Sequence, residues 1–292
     1  MKSKSLIKIF SILLLVIYVN GCAREKLFSV HIIDVGQGDS IFIQTLEDKR
    51  ILIDAGDEEA EHTVYSYLKR RGVKKIDVLI ATHPDTDHIG SMDYIIDKFK
   101  ISHFYMPDAK TDSEAFYNLL DSCKEKNLKI EYLTKGDRLK IDSSTTMEIL
   151  SPSTITDKNN LNSIVSLLNY KGYEFLFTGD AEKENESEIL SSCNLPDIEF
   201  LKAGHHGSSS SSTDEFIEKL KPEAIAISCG YNNDYGHPHR SVLDTFRENG
   251  AVVYRTDKNG SLVFYCDDNG IFTKMSKIKV FLFSNYSDLC YH

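Results

Sequence analysis

The sequence predicts an α+β fold around one large core. Strand-like and helix-like segments alternate along the chain, the strand-like runs gather in two clusters, and 41% of the 292 residues are apolar, enough for a single core. Ser29–Asp34, Ser40–Thr45 and Arg50–Asp54 are short runs rich in Ile, Val, Leu and Phe and read as the opening strands. Glu58–Arg71 reads as a helix. Val78–Ala81 is a short continuous apolar run, the mark of a buried strand, and Gly90-Ser91 followed by Met92, Tyr94, Ile95, Ile96 and Phe99 reads as a helix with an apolar face. Further helices are expected at Ser113–Lys126, Ala181–Ser191, Thr213–Leu220 and Arg240–Glu248. Strands are expected at Met147–Leu150, Ile164–Tyr170, Tyr173–Thr178, Ile198–Leu201, Ala224–Ser228, Val252–Arg255 and Leu262–Cys266. After Phe272, the alternation of Ile278, Val280 and Leu282 fits an edge strand.

The chemistry concentrates in loops that follow strands. His83-Pro84-Asp85-Thr86-Asp87-His88 packs four strong metal ligands into six residues directly after an apolar strand. Imidazole and carboxylate together suit zinc, manganese or iron. Residues two apart in an extended loop leave on one side, so His83, Asp85 and Asp87 are expected to converge, with His88 joining from the turn into the next helix. A helix-capping polar loop would not call for two flanking histidines. Three later segments could supply distant ligands. Phe175–Thr178 is an apolar strand leading to Gly179-Asp180, where the aspartate taken on its own reads first as a helix N-cap and only with the other segments as a ligand. Gly204-His205-His206-Gly207-Ser208 sets paired histidines between glycines, and Ser208–Ser212 extends it as a polar loop that could contact substrate. Tyr235-Gly236-His237-Pro238-His239 offers another histidine, either a site residue or turn chemistry ahead of a helix.

This set resembles the metallo-β-lactamase superfamily. Val30–Ser40 with its Gly36-Gln37-Gly38-Asp39-Ser40, Ile51–Gly56, Thr178-Gly179-Asp180-Ala181-Glu182, Leu201–Ser208, Gly236-His237-Pro238 and Tyr254–Asp257 narrow the resemblance to the soluble hydrolase domain of ComEC-type DNA-uptake competence proteins, from about Phe28 to about Phe264. The resemblance implies a four-layer αββα sandwich and two divalent metal ions, zinc or manganese. His83 and Asp85 would hold the first, Asp87 and His88 the second, and Asp180 would bridge them. His205 would complete the second site, with His206 the competing assignment and otherwise a substrate contact. The superfamily usually adds a histidine to the first site. Here the corresponding stretch is Asn159–Ser163, so Asn162 is a candidate ligand or substrate contact and the first site is more oxygen-rich. Harder donors shift the expectation toward manganese, while affinity order favours zinc.

The implied activity is metal-dependent hydrolysis of a phosphodiester. A water between two divalent cations has its pKa lowered toward neutrality and becomes a hydroxide nucleophile. Asp87 would orient that water or accept its proton, and His237 would bind the substrate's anion or protonate the leaving oxygen. Single-stranded DNA is one expected substrate. A cell-envelope phosphodiester, such as a teichoic acid bearing phosphorylcholine, is the alternative within enzymes, and a metal-binding surface lipoprotein without turnover is the alternative outside them. Asp85 in place of histidine disfavours a β-lactam.

The N-terminal residues address location. Lys2, Lys4 and Lys8 precede or flank an apolar stretch from Ile9 to Val19, and Asn20-Gly21-Cys22 follows. This resembles a lipoprotein signal peptide over residues 1–21, with Cys22 lipidated, a tether over 22–27, the hydrolase domain at 28–270 and an extension at 271–292. The expected placement is extracytoplasmic, on the bacterial cell membrane through that lipid anchor. No obligate protein partner is evident. The net charge of −10 argues against tight nonspecific DNA binding, and the basic cluster Lys69-Arg70-Arg71 with Lys74-Lys75 reads as the solvated end of a helix. The six cysteines lack Cys-x-x-Cys spacing, so a structural zinc knuckle is not expected, and Cys229 and Cys266 read as buried small hydrophobes.

Overall fold

The computed structural model describes residues 27–275 and 278–281. The expected signal segment, the lipidation site Cys22 and Leu282 lie outside the described residues. In chain order the strands are β1 (Phe28–Ile32), β2 (Ile41–Gln44), β3 (Arg50–Ile53), β4 (Lys75–Ile80), β5 (Lys100–Met106) and β6 (Ile130–Tyr132). There follow β7 (Arg138–Lys140), β8 (Thr145–Ser151), β9 (Val165–Tyr170), β10 (Tyr173–Phe177), β11 (Phe200–Lys202), β12 (Ala224–Ile227), β13 (Val252–Arg255), β14 (Leu262–Asp267), β15 (Gly270–Met275) and β16 (Ile278–Phe281). They form a nine-stranded sheet, β16-β15-β14-β1-β2-β3-β4-β5-β6, and a seven-stranded sheet, β13-β12-β11-β10-β9-β8-β7.

Strand alternation builds the layers. Ile41 and Ile43, Ile51 and Ile53, and Phe175 and Phe177 point into a core between the sheets, where Phe28 stacks on Tyr170 at 4.2 Å and Phe200 meets Phe264 at 4.8 Å. The intervening Phe42 and Leu52 face outward onto the helices Glu61–Arg70, Met92–Lys98 and Glu114–Glu125, packing with Leu68, Ile95 and Leu119. Leu176, Leu201 and Ile225 do the same on the other side, against Ile189, Phe216 and Phe246 of the helices Lys183–Ser192, Asp214–Leu220 and Arg240–Glu248. The period of two thus yields helix, sheet, sheet, helix, the expected four-layer αββα sandwich. Among the described residues no helix is long and apolar enough to cross a membrane.

Some expectations need correction. β5, β6 and β7 were not expected: β5 (KISHFYM) has polar residues at several positions, and β6 and β7 are three residues each, below the length at which periodicity registers. The helix expected from Ala181 starts at Lys183, capped by Glu182, so Asp180 is not an N-cap. The boundary expected at 270 falls within a hairpin, because β15 pairs with β14 and buries Ile271 and Phe272. Arg71 is not a solvated helix end: its Nε donates to His31 Nδ1 at 3.1 Å and its guanidinium lies 3.7 Å over Tyr67. Cys123, Cys193, Cys229 and Cys266 are free, with Cys229 and Cys266 buried as expected.

The site follows from strand direction. β3 to β6 run parallel in one sheet and β10 to β13 in the other. The loops after β3, β4, β10, β11 and β12 therefore emerge along one edge of the sandwich, where the ends of parallel strands leave backbone free to bind ligands. The N–H of Ile164 donates to the carbonyl of Thr82 at 2.8 Å and ties the two sheets together there.

Candidate metal centre

The ligand loop changes conformation halfway. His83 and Asp85 lie on the extended part, with His83 Nε2 3.4 Å from Asp85 Oδ2. Asp85 then precedes the helical turn Thr86–Ile89, which carries Asp87 and His88, and the His88 ring lies 4.1 Å from that of His83. The expected convergence of His83, Asp85 and Asp87 is thus corrected: the alternation of an extended segment ends where the helix begins. Asp87 and His88 instead join Asp180 and His206, and one ligand atom from each of these four lies within 4.8 Å of all the others. His88 Nε2 is 3.3 Å from Asp180 Oδ1, and His206 Nε2 is 3.4 Å from Asp180 Oδ2 and 3.3 Å from Asp87 Oδ2.

His205, the first choice for this position, is displaced by its neighbour. Its Nε2 stands 3.8 Å from Asp180, its Nδ1 bonds to Ser210 Oγ at 2.9 Å, and it is partly exposed. Both histidines hold left-handed backbone, at φ 44° and φ 54°. Such a conformation is uncommon for non-glycine residues and persists only where surrounding contacts impose it. Successive residues in it send their side chains apart, and the one turned inward is His206.

A second ring of groups holds the first. His88 Nδ1 lies 2.8 Å from Asp54 Oδ2, and Asp54 also accepts from the Thr82 N–H at 2.8 Å and the Thr82 hydroxyl at 2.7 Å. His206 Nδ1 lies 3.0 Å from the Ser228 carbonyl and 3.5 Å from Asp39 Oδ1, and Asp39 in turn pairs with Lys202 at 2.6 Å. Carboxylates and carbonyls behind a histidine fix its tautomer and leave the other nitrogen free for a metal. Sequence reasoning assigned no role to Asp39, Asp54 or Lys202. The signal available was a charged residue at the end of an apolar strand or in a glycine turn, and it does not say which neighbour the charge will meet.

The residues present fit divalent metal. His83 Nε2, His88 Nε2, Asp180 Oδ1 and His206 Nε2 are buried without a hydrogen bond, although such groups normally have one. Their protonation points the same way. Burial disfavours charge on His88 and His206, yet Asp180 with Asp54 and Asp87 raises the first, and Asp180 with Asp39 raises the second, well above the usual imidazole value. Burial would raise Asp180, but the charges of His206 and His88 hold it well below the ordinary carboxylate range. Asp39 is similarly raised by burial and brought down to about 2 by Lys202 and His206. The centre thus carries surplus negative charge that calls for cations.

The remaining expected residues are placed differently. Asn162 is not a ligand or substrate contact: it is buried, its Oδ1 accepts from the Thr156 N–H at 2.8 Å and its Nδ2 donates to the Thr156 carbonyl at 2.9 Å, which closes the loop on itself. Asn159 reaches the site instead, donating to Asp85 Oδ1 at 2.6 Å, and Asn160 donates to Glu182 at 3.2 Å. Ser208, expected to contact substrate, is buried, and its hydroxyl is engaged within the loop, accepting from the Ser210 N–H and hydroxyl. His237 lies at the site, its ring 5.6 Å from His205 and 6.4 Å from His206. Burial and the charges of His206, His205 and His239 push it down to about 4, so it is neutral at physiological pH.

Comparison with known proteins identifies the family and the fold. The model of the metallo-beta-lactamase superfamily matches residues 33–230. ComE operon protein 3 of Bacillus subtilis (strain 168) is 34% identical over 250 residues, which cover 79% of this chain and 32% of that protein. Competence protein ComA of Neisseria gonorrhoeae is 28% identical over 267 residues, 89% of this chain and 35% of that one. The chain spans about a third of the length of these curated relatives. Among solved structures, the metallo-beta-lactamase fold protein YhfI from Bacillus subtilis superposes with a TM-score of 0.54 at 15% identity, over 79% of this chain and 97% of that one, a likeness of fold.

Proposed function

The chain belongs to the metallo-β-lactamase superfamily, and from that premise we propose that it is a binuclear metal-dependent phosphodiesterase acting on single-stranded nucleic acid. The observation that carries the hydrolase reading is the convergence of Asp87, His88, Asp180 and His206, with their buried, unbonded atoms, beside the His83–Asp85 pair. Asp87, His88, Asp180 and His206 would hold one zinc or manganese ion, and His83 and Asp85 with Asp180 the other. Bound there, the ions would polarise a phosphoryl oxygen and lower the pKa of a nearby water.

The side chains do the rest. Asp87 is the carboxylate of the four-residue group most open to solvent. That exposure places it to orient a water by accepting a hydrogen bond from it. His237, neutral, offers an N–H to a substrate oxygen and does not act as a cation; this narrows its expected role as an anion binder or acid. Identity to competence proteins supports a nucleic-acid substrate. Tyr235, 66% exposed, stacks on His237 at 5.6 Å, and Tyr231 is 78% exposed on the same loop. Aromatic faces at the mouth of a site accept the unpaired bases of a single strand. The extracytoplasmic placement and the lipid anchor at Cys22 are part of the same proposal and rest on the N-terminal sequence pattern alone.

One observation favours a second reading. An open cleft of about 430 Å³ beside Asp85 is lined by Asp85, Asp157, Lys158, Asn159, Asn160 and Glu182. Its carboxylates would suit a cationic group, as on a phosphorylcholine-bearing envelope polymer, better than a second phosphate.

The test is hydrolysis of bis-p-nitrophenyl phosphate, single-stranded DNA and duplex DNA by the full chain with Mn²⁺ or Zn²⁺, beside Asp87→Ala. Turnover of the ester and of single-stranded DNA, absent from Asp87→Ala, is the expected result. Ester turnover without DNA cleavage would favour the envelope polymer, and no turnover by metal-loaded protein on any phosphodiester would remove the enzymatic reading.

A further inference from the structure

Lys202 and Asp39 form an ion pair, Nζ to Oδ2 at 2.6 Å, with side chains 0% and 1% exposed. Desolvating both charges is costly, and apolar residues of similar volume often serve stability as well or better. Fold stability alone therefore does not account for the pair, whereas its location does. Lys202 ends β11, directly before the turn that carries His206, and its ammonium also donates to the Ala203 carbonyl at 2.9 Å. Asp39 sits in the turn between β1 and β2. Its N–H donates to the Asp87 carbonyl at 3.2 Å and its carbonyl accepts from the Gly56 N–H at 2.8 Å. The same turn is held from the other sheet, where the Ser228 hydroxyl donates to the Gly38 carbonyl at 2.7 Å.

The imidazole of His206 lies between two acidic surroundings. Its Nε2 faces Asp87 and Asp180, and its Nδ1 faces Asp39 Oδ1 at 3.5 Å and the Ser228 carbonyl at 3.0 Å. His88 is arranged alike, with Asp54 behind its Nδ1 and Asp39 within 4.8 Å of both, but Asp54 is held by the Thr82 N–H and hydroxyl, and among the described residues no lysine or arginine pairs with it. We propose that Asp39 and Lys202 are a positioning pair for His206: the carboxylate backs the imidazole, and the ammonium fixes the carboxylate and cancels its charge, so that the centre keeps the affinity for a divalent cation that its own ligands set. The inference rests on the reading of His206 as a metal ligand. It gives a task to the Gly38-Asp39 turn and to the buried lysine before the paired histidines.

The experiment is calorimetric titration of Mn²⁺ into the metal-free full chain and into Asp39→Leu/Lys202→Met, which removes both charges together and leaves neither buried alone. The double variant is expected to fold, with a thermal midpoint at or above that of the metal-free parent, and to bind its tightest metal roughly 10- to 100-fold more weakly. If it does not fold, Asp39→Asn/Lys202→Met keeps the shapes of both side chains and should show a smaller loss in the same direction. Parental affinity in a folded double variant would overturn the proposal and leave the proposed function standing. A parent chain that takes up no Mn²⁺ or Zn²⁺ would overturn both.

Discussion

His31 lies buried in β1, its Nδ1 3.0 Å from the Tyr67 hydroxyl and its Nε2 2.9 Å from Ser29 Oγ. Burial, reinforced by the charge of Arg71, lowers its pKa from 6.5 to about 3. The folded state therefore keeps this imidazole neutral at pH values where the unfolded chain protonates it. The resulting stability is fully present above about pH 6.5 and is lost as the pH falls toward 3, a change of at most on the order of 5 kcal/mol. Urea midpoints of the metal-free chain between pH 7 and 4 should fall less steeply for His31→Gln than for the parent, and equal slopes would contradict this account. At the metal centre the sign reverses, because His88 and His206 have carboxylates beside them and His31 does not. The sequence shows ten histidines of identical intrinsic chemistry, and their neighbours separate them.

At the scale of an element, the turn between β1 and β2 is held against the ligand loop without contributing a ligand. Gly38 has φ +119°, and a Cβ there would lie 2.2 Å from the Asp87 carbonyl oxygen. Gly36 in the same turn has φ +79° with nothing within 4 Å of its Cβ position. Gly36→Ala should therefore cost only backbone strain, about 1 kcal/mol, while Gly38→Ala adds a clash worth about 1–3 kcal/mol more and weakens metal binding by moving Asp87. Chemical denaturation and Mn²⁺ titration of the two variants check this, and equal losses would show that the close approach is unimportant. The glycines were legible as a motif. Their unequal burden was not, since it depends on a loop some fifty residues away. The same holds for Asn159 and Asn162, three residues apart on one short helical segment, where only Asn159 reaches Asp85.

The whole molecule brings the centre together from two sheets. His83, Asp85, Asp87 and His88 follow β4 of the nine-stranded sheet, and Asp180 and His206 follow β10 and β11 of the seven-stranded one. A metal held by both groups joins the halves of the sandwich and binds the folded state alone. Metal-free chain titrated with Mn²⁺ or Zn²⁺ should gain about 2.7 kcal/mol at a concentration 100 times the dissociation constant, a rise of roughly 5–10 °C in thermal midpoint. Two events of unequal affinity are expected, the tighter at Asp87, His88, Asp180 and His206. The other centre has only His83 and Asp85 of its own, and Asn159 engages one of those carboxylate oxygens. Scanning calorimetry with metal analysis measures both, and two equal sites would count against the asymmetry.

What the sequence determined by itself was chemistry and layering. Apolar runs of period two specify strands with an inner and an outer face, and strands followed by His and Asp clusters specify where ligands emerge, because both properties are local to the chain. The tertiary structure decided which of two adjacent histidines turns inward, which asparagine meets Asp85, and that Asp39, Asp54 and Lys202 stand behind the ligands. Those outcomes depend on left-handed backbone imposed by neighbouring loops and on charge pairs between segments far apart in sequence. Local pattern cannot encode a side chain's direction when its partner lies on another sheet.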